Sequence, residues 1–265
     1  MRRWLLALAL IAGAAQAEPE RRGCTDDIEA ALRAVNPKAE IAGDVVSQHC
    51  KAWPPSAGKV TAAVMAFEQA DKSTSANWRE RTWIVVLALL DTRTQRVKQF
   101  RRAEVSEDVT TAVGDNSFTL DTAAYNLAPG LRALGLRFSS SAPGPSAPDG
   151  LSGDPLTLFE PEGRTLRPVF SAAMWFWKAA EGRCLRSCPN PVWMEAKLSV
   201  RVGSRGSTGR NDLLMDAAIT RETAEADAPI SPPRQETVIY RYSGKGYALL
   251  SPPPWWLAGG STVAW

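Results

Sequence analysis

The run Trp83-Ile84-Val85-Val86-Leu87-Ala88-Leu89-Leu90 is uninterruptedly apolar and lies between polar flanks. Eight residues are far too few to span a membrane as a helix, and this length fits a strand that is buried on both faces. The next residues, Asp91-Thr92-Arg93-Thr94, predict a turn into a second strand around Val97 to Phe100. The run therefore indicates a protein whose core is built from β-strands.

Further strands are predicted on both sides of this run. Gly58 to Phe67 is rich in Val and Ala, and Leu131 to Phe138 alternates between apolar and other residues. Lys197 to Val202 alternates cleanly, which places Leu198, Val200 and Val202 inward. Val238, Tyr240 and Tyr242 share a face before the hairpin-type turn Ser243-Gly244-Lys245-Gly246.

One short helix is predicted near the start, with Asp26 as its N-cap and Glu29 three residues later. Its apolar residues share one face: Ile28, Leu32 and Val35. Asn36-Pro37 ends it. We therefore predict a mainly β fold, an antiparallel β-sandwich-like body with one short N-terminal helix.

Three stretches share a strand-turn-strand pattern: Leu87 to Phe100, Leu156 to Phe170 and Val238 to Leu250. Such a likeness leaves an irregular, propeller-like repeat open as an alternative. The spacings between the stretches are irregular, however, and any antiparallel protein contains such hairpins. The pattern favours separate hairpins within one body.

The first 17 residues have the features of a cleavable signal peptide. Arg2 and Arg3 precede an apolar run from Trp4 to Ala15, and Ala15-Gln16-Ala17 is a small-residue cleavage site before Glu18. The apolar run is about a dozen residues, whereas a spanning helix needs about 20. We expect a periplasmic or secreted location, with no transmembrane segment in the mature chain.

Residues 139–154 form a Ser/Pro/Gly-rich segment that predicts a long surface loop. The expected organisation is a single β-rich domain over 18–265 that contains this loop. The alternative is two small β domains, 18–138 and 155–265. Each of these halves is long enough to fold alone.

The charge of the predicted mature chain excludes one class of partner. Without Arg2 and Arg3 it holds 29 basic and 28 acidic residues. A chain this close to neutral lacks the clustered Lys and Arg that nucleic-acid binding requires. We expect no nucleic-acid partner.

Four cysteines belong to the predicted mature chain, and an even number in an oxidising compartment predicts disulfides. Pairing by proximity gives Cys24 with Cys50 and Cys184 with Cys188. A metal or redox site is disfavoured, because the second spacing is C-x3-C and His49 is the only histidine. We expect no metal and no cofactor.

No catalytic residue is assigned. His49 beside Ser47 is the only pair that could form a nucleophile and base, and a polar residue at a strand end explains His49 more simply. Carboxylate groups that could serve a glycoside hydrolase lie in turn-like contexts, where acidic residues are expected anyway. These are Glu160 with Glu162, and Glu104 with Glu107 and Asp108.

Tryptophan is the unusual component of this sequence. Trp175 and Trp177 flank Phe176, so on a strand both indoles project to one face, and Trp255-Trp256 follows three prolines. Indole faces and N–H donors suit sugar rings, so all four are candidate ligand-binding residues. Packing within the core is the simpler interpretation of all four.

Two segments, Cys50-Lys51-Ala52-Trp53-Pro54 and the run from Leu120 to Gly135 (LDTAAYNLAPGLRALG), carry a resemblance. From Cys50 to about Phe170 the chain resembles a group of uncharacterised exported, β-rich proteobacterial proteins. That resemblance implies a periplasmic, β-rich protein and implies no activity.

The sequence favours a non-catalytic binding or envelope-associated structural protein, whose partner would be a cell-envelope glycan or protein. The alternatives are a glycan-binding module that uses a tryptophan platform and an envelope hydrolase that uses carboxylates. An aromatic strip without paired acids favours the binding module. A cleft with two carboxylates about 5–10 Å apart would favour the hydrolase.

Overall fold

The computed structural model describes residues 23–35, 41–69, 81–144, 149–180, 192–223 and 231–257. Within these ranges the chain forms one α-helix and sixteen strands: α1 Asp26–Ala34, β1 Ile41–Ala52, β2 Val60–Gln69, β3 Thr82–Asp91, β4 Val97–Ser106, β5 Phe118–Asp121, β6 Asn126–Ala128, β7 Leu131–Arg132, β8 Leu134–Phe138, β9 Gly150–Gly153, β10 Leu156–Glu162, β11 Thr165–Ala172, β12 Trp175–Ala179, β13 Val192–Arg205, β14 Asn211–Thr223, β15 Arg234–Tyr242 and β16 Tyr247–Leu249. Two single 3₁₀ turns occupy Pro54–Ser56 and Trp255–Leu257.

The strands form three sheets in barrel-like or half-barrel arrangements. The largest has the order β1-β2-β3-β4-β11-β10-β8-β5, the second has the order β16-β15-β14-β13-β12-β9, and β6 pairs with β7 alone. Every ladder is antiparallel except the short parallel contact of β4 with β11. The predicted mainly β fold with one helix is confirmed, and the described strands show none of the repeated four-stranded blades of a propeller.

Strand β3 is buried on both faces, as its apolar run predicts. Residues 83, 85, 87 and 89 point into one core, together with alternate residues of β2 and the side chains of β5 and β8. Residues 84, 86, 88 and 90 point into another core, which α1 covers with Ile28 and Leu32. Because successive side chains alternate across a sheet, eight consecutive apolar residues are needed to serve both cores.

Helix α1 begins one residue earlier than the predicted cap requires. Thr25 is the N-cap, with extended backbone angles and no side-chain capping bond, so the prediction that Asp26 caps the helix is wrong. Asp26 lies in the first turn instead, where its negative charge is favourable beside the helix N-terminus. The adjacent Cys24 forms a disulfide with Cys50 of β1, with a Cα–Cα distance of 5.2 Å, which confirms that pairing.

The two edge strands of the large sheet, β1 and β5, meet through side chains. The main-chain N–H of Phe118 donates to Ser47 Oγ at 3.1 Å, and that of Leu120 donates to His49 Nδ1 at 3.0 Å. Both acceptors are buried and lie opposite core residues of β2. The sheet therefore curves back on itself, and two polar side chains of β1 satisfy main-chain donors of its far edge.

The second sheet covers its own core with alternating residues. Leu198, Val200 and Val202 of β13 face this core, whereas Lys197, Ser199 and Arg201 are exposed, as the alternation predicts. The opposite wall of this core comes from the large sheet, through side chains of β10 and β11. Strands β10 and β11 of the large sheet thus form the surface against which the second sheet packs.

All three predicted strand-turn-strand stretches are antiparallel hairpins: β3 with β4, β10 with β11, and β15 with β16. The prediction of a loop over all of 139–154 is wrong for its last part, which forms the short strand β9, and residues 145–148 lie outside the described part. Strand β8, before this segment, pairs directly with β10, after it. One sheet therefore draws strands from both sides of the predicted loop.

A charge network around the buried Glu160 joins the two sheets at one end. Glu160 of β10 is 3% exposed and binds Arg167 through Oε1 and Arg210 through Oε2, the latter at 2.8 Å. Tyr242 of β15 accepts a hydrogen bond from Arg167 at 3.0 Å and lies under the guanidinium of Arg210. The neighbouring Tyr247 donates its hydroxyl to a main-chain oxygen, and burial raises its pKa to about 12. These tyrosines and arginines connect β10 and β11 to β14, β15 and β16.

Some predictions concern residues that the structure does not describe. The signal peptide at 1–17 and the pair Cys184 and Cys188 lie outside the described residues. Among the helices of the described part, none has the length and apolar character to cross a membrane.

Candidate functional site

The four candidate tryptophans occupy different environments. Trp175 and Trp177 lie on β12, where alternation places them on one face and both are half-buried. Trp255 lies on the other side of β12, against Phe176, with a ring separation of 5.7 Å. Trp256 is 1% exposed and belongs to the core of the second sheet. The four indoles therefore do not form one continuous surface.

Trp175 lines a cavity of about 500 Å³ where the end of β8 meets β9 and β12. This volume lies within the range of small-molecule binding sites, roughly 300–1,000 Å³. The remaining lining consists of apolar groups and short polar side chains: Phe138, Leu151, Pro155, Ala173, Ala142, Pro143, Gly144, Gly153, Thr110, Ser139, Ser140, Ser152 and Asp154. Trp177 is not part of this lining.

The indole of Trp175 is held in place from two directions. Its Nε1 donates to Glu195 Oε1 of β13 at 2.5 Å. Its six-membered ring lies against Gly153 of β9, where an added Cβ would approach Cε3 to 3.3 Å. The glycine permits this close approach, and the hydrogen bond fixes the ring about its axis. The cavity therefore presents a pre-oriented aromatic surface, which lowers the entropy cost of binding.

The N–H groups of two tryptophans have protein partners. Trp175 donates to Glu195, and Trp256 donates to Glu236 at 2.7 Å. The expectation that indole N–H donors contact a ligand therefore does not fit these two residues. What Trp175 offers to a ligand is the apolar surface of its ring.

The polar side chains of the cavity differ in their availability. Ser140 is fully engaged, since its hydroxyl donates to Thr110 O and accepts from two main-chain N–H groups. Asp154 is exposed, and no ion pair or side-chain hydrogen bond of it occurs within the described residues. Its φ of 51° lies in the left-handed region, which aspartate adopts more readily than most residues. Asp154 therefore brings to the rim of the cavity an exposed carboxylate that has no partner among the described residues.

The residues considered for catalysis have structural roles in the described part of the chain. Ser47 and His49 lie within β1 rather than at its end, and both accept main-chain hydrogen bonds from β5. Glu107 accepts the N–H of Val113 at 2.8 Å, and Asp108 accepts three hydrogen bonds from the next two threonines.

Glu160 is the remaining buried carboxylate of the considered groups, and both of its oxygens face arginines. Its neighbour Glu162 also contacts Arg167, at 3.1 Å, with a side chain that is 61% exposed. Neither oxygen of Glu160 is left directed toward a cleft. Three or more His, Cys, Asp or Glu side chains that could hold a metal ion do not converge anywhere in the described ranges.

Asp154 and Gly153 were not singled out by the sequence. Both residues fall within a segment whose composition predicts only a loop. The pairing of Gly153 with Trp175 across β9 and β12 could not be predicted from the residues around either one. The alternation around Trp175 and Trp177 predicted a strand, and both residues lie on β12.

Comparisons of the chain with protein-family models, with curated proteins and with solved structures find no match. The function is therefore argued from the geometry of the site.

Proposed function

We propose that the protein is an exported, non-catalytic binding protein of the cell envelope that holds a sugar ring against Trp175. The observation that carries the proposal is the fixed, half-buried indole at the wall of a cavity of about 500 Å³. Exposed or partly exposed aromatic surfaces usually mark interaction sites. The uncovered face of this ring suits the apolar face of a pyranose.

The polar groups of the cavity support a polyhydroxylated ligand. Asp154 can accept hydrogen bonds from two hydroxyl groups, and the hydroxyls of Ser139 and Ser152 can donate or accept. Asp154 is the cavity's only charged lining residue among those described, which favours an uncharged or cationic sugar over an acidic one. A single carboxylate at the rim supports binding rather than the paired-acid chemistry of a hydrolase.

Export is supported by two features of different kinds. Residues 1–17 have the composition of a signal peptide. The disulfide Cys24–Cys50 belongs to the chemistry of oxidising compartments. An envelope location would bring the cavity into contact with glycans.

Replacing Trp175 by alanine should weaken the binding of N-acetylglucosamine and its β-1,4-linked trimer about 30-fold. A buried aromatic anchor contributes about 2 kcal/mol or more to binding, which corresponds to that factor. Isothermal titration calorimetry with both sugars measures the change. Asp154→Asn should also weaken binding, about tenfold, because hydrogen bonds to a charged group are the stronger ones.

Trp177→Ala is the matched control, since Trp177 lies on the same face of the same strand and outside the cavity lining. It should lose comparable stability and keep the affinity for the sugars. Equal losses of affinity in Trp175→Ala and Trp177→Ala, or an absence of binding by the unmodified protein, would refute the proposed site.

The mature protein should begin at Glu18. Ala15 and Ala17 satisfy the small-residue rule for cleavage after residue 17. Intact-mass spectrometry of periplasmic material from an expression host measures the N-terminus directly. A chain that retains residues 1–17 would contradict export, and it would leave the sugar-binding test unaffected.

A further inference from the structure

A second cavity, of about 860 Å³, shares no lining residue with the first and lies between the β6–β7 hairpin, the turn after β1 and the start of β14. The side chains that matter for its chemistry are Trp53, Asn126, Arg132, Arg205 and Asn211. Its remaining lining is apolar or glycine. Arg132 and Arg205 are the only charged residues of this lining in the described part of the chain.

The carboxylates next to this cavity are already bound by other arginines. Glu160 and Glu162 flank the lining Pro161; Glu160 binds Arg167 and Arg210, and the exposed Glu162 binds Arg167. Asp212, which follows the lining Asn211, binds Arg241 at 2.9 Å. Among the described residues no carboxylate lies within ion-pair distance of the two arginines in the lining. Within the described ranges, Arg132 and Arg205 therefore bring two positive charges to the cavity without forming an ion pair.

Arg132 is held in a defined orientation. Its Nε donates to Ala123 O at 3.3 Å, and its Nη2 donates to Thr122 O. Its guanidinium lies over the ring of Trp53, 5.7 Å from the centroid, and Trp53 is 6% exposed. A guanidinium carries five N–H donors, so these contacts leave donors for a ligand. Stacking on an aromatic ring also reduces the hydration that a ligand must displace.

Arg205 lies at the end of β13, and its Nε donates to Gly209 O at 3.2 Å. Asn211, at the start of β14, donates through Nδ2 to Asn126 O at 2.8 Å. This hydrogen bond joins the hairpin that carries Arg132 to the strand pair that carries Arg205. The two guanidinium groups therefore belong to one connected frame.

We propose that this cavity binds the oxyanion group, carboxylate or phosphate, of a small solute through Arg132 and Arg205. The planar fork of a guanidinium matches both groups with paired N–H donors. The site is independent of the Trp175 cavity, whose charged residue has the opposite sign. The inference therefore goes beyond the proposed sugar site and does not depend on it.

Calorimetric titration of the full mature protein with inorganic phosphate and, separately, with citrate tests the proposal. The titration is done at low ionic strength, because salt screens exposed charges. Arg205→Gln should weaken binding of the preferred anion about tenfold to a hundredfold, as expected for the loss of a charge-assisted hydrogen bond. The anion affinity of Arg205→Lys should lie between those of the unmodified protein and Arg205→Gln, because lysine keeps the positive charge and lacks the forked guanidinium. Arg132→Gln should weaken binding similarly, with the melting temperature recorded because its main-chain hydrogen bonds are also lost.

Arg201→Gln is the matched control, because Arg201 lies on the same strand as Arg205 and is paired with Asp216 outside the cavity. It should leave anion binding unchanged, and so should Trp175→Ala. Phosphate and citrate distinguish a phosphate-bearing from a carboxylate-bearing solute. If Arg201→Gln and Arg205→Gln weakened anion binding equally, the effect would come from the overall positive charge of the surface, and the proposed site would be overturned. If neither phosphate nor citrate bound at about 10 mM, a concentration well above a millimolar Kd, the proposal would also be overturned.

Discussion

Replacing Glu160 by glutamine is expected to lower the free energy of unfolding by about 3 kcal/mol. The substitution keeps the shape of the side chain and removes a charge that is 3% exposed and bound to two arginines. Arg210 would then remain partly buried without its counter-charge, and Arg167 would keep only the exposed Glu162. Removal of one partner from such a cluster costs far more than the cluster contributes as a whole. Urea denaturation followed by circular dichroism measures the loss.

Glu162→Gln is the control for this experiment. Glu162 contacts the same Arg167, at 3.1 Å, but its side chain is 61% exposed. An exposed ion pair contributes about 0–1 kcal/mol, so this variant should unfold close to the unmodified protein. If the two variants were equally stable, burial of Glu160 would not be the source of the effect, and the network could not be what fastens the two sheets together.

Removing the disulfide Cys24–Cys50, by alanine at both positions, is expected to lower the free energy of unfolding by about 3.5 kcal/mol. The bridge closes a loop whose ends are 26 residues apart, and its main effect is to restrict the unfolded chain. It also fastens the start of α1 to β1, beside the core that Ile28 and Leu32 cover. Guanidinium chloride denaturation of the oxidised protein and of the double variant measures the difference.

Reduction of the unmodified protein provides the comparison. After reduction it should unfold at the same denaturant concentration as the double variant, unless the second predicted pair, Cys184 with Cys188, also contributes. The variant Cys184→Ala with Cys188→Ala separates that contribution. An oxidised protein no more stable than the Cys24→Ala, Cys50→Ala variant would contradict a stabilising role for this bridge.

The local pattern of apolar and polar residues was enough to predict several strands, but it did not predict which strands pair with each other. The run Trp83 to Leu90 and the alternation of Lys197 to Val202 follow from burial of one or both faces, which the residues themselves record. The parallel contact of β4 with β11 and the ladder of β8 with β10 depend on residues far apart in sequence. The helix cap was misplaced by one residue because Thr25 and Asp26 are both capping residue types.

The candidate site was likewise predictable from the sequence only in part. Alternation around Trp175 placed it on a strand and paired it with Trp177 on one face. The cavity itself joins segments near residues 110, 138–144, 151–155 and 173–175, and only the folded chain brings them together. The exposed carboxylate of Asp154 at the cavity rim and the close approach of Gly153 to Trp175 result from that assembly, and no spacing in the sequence predicts them.

The meeting of β1 with β5 also determines how the fold behaves toward other polypeptides. A strand edge with free N–H groups is a template on which a foreign strand can add, and such addition leads to aggregation. In this sheet the N–H groups of Phe118 and Leu120, which an incoming strand would need, already donate to the side chains of Ser47 and His49. The side chains of β1 thus make these two donors of β5 unavailable to a foreign strand, so that one edge strand of the sheet limits strand addition at the other.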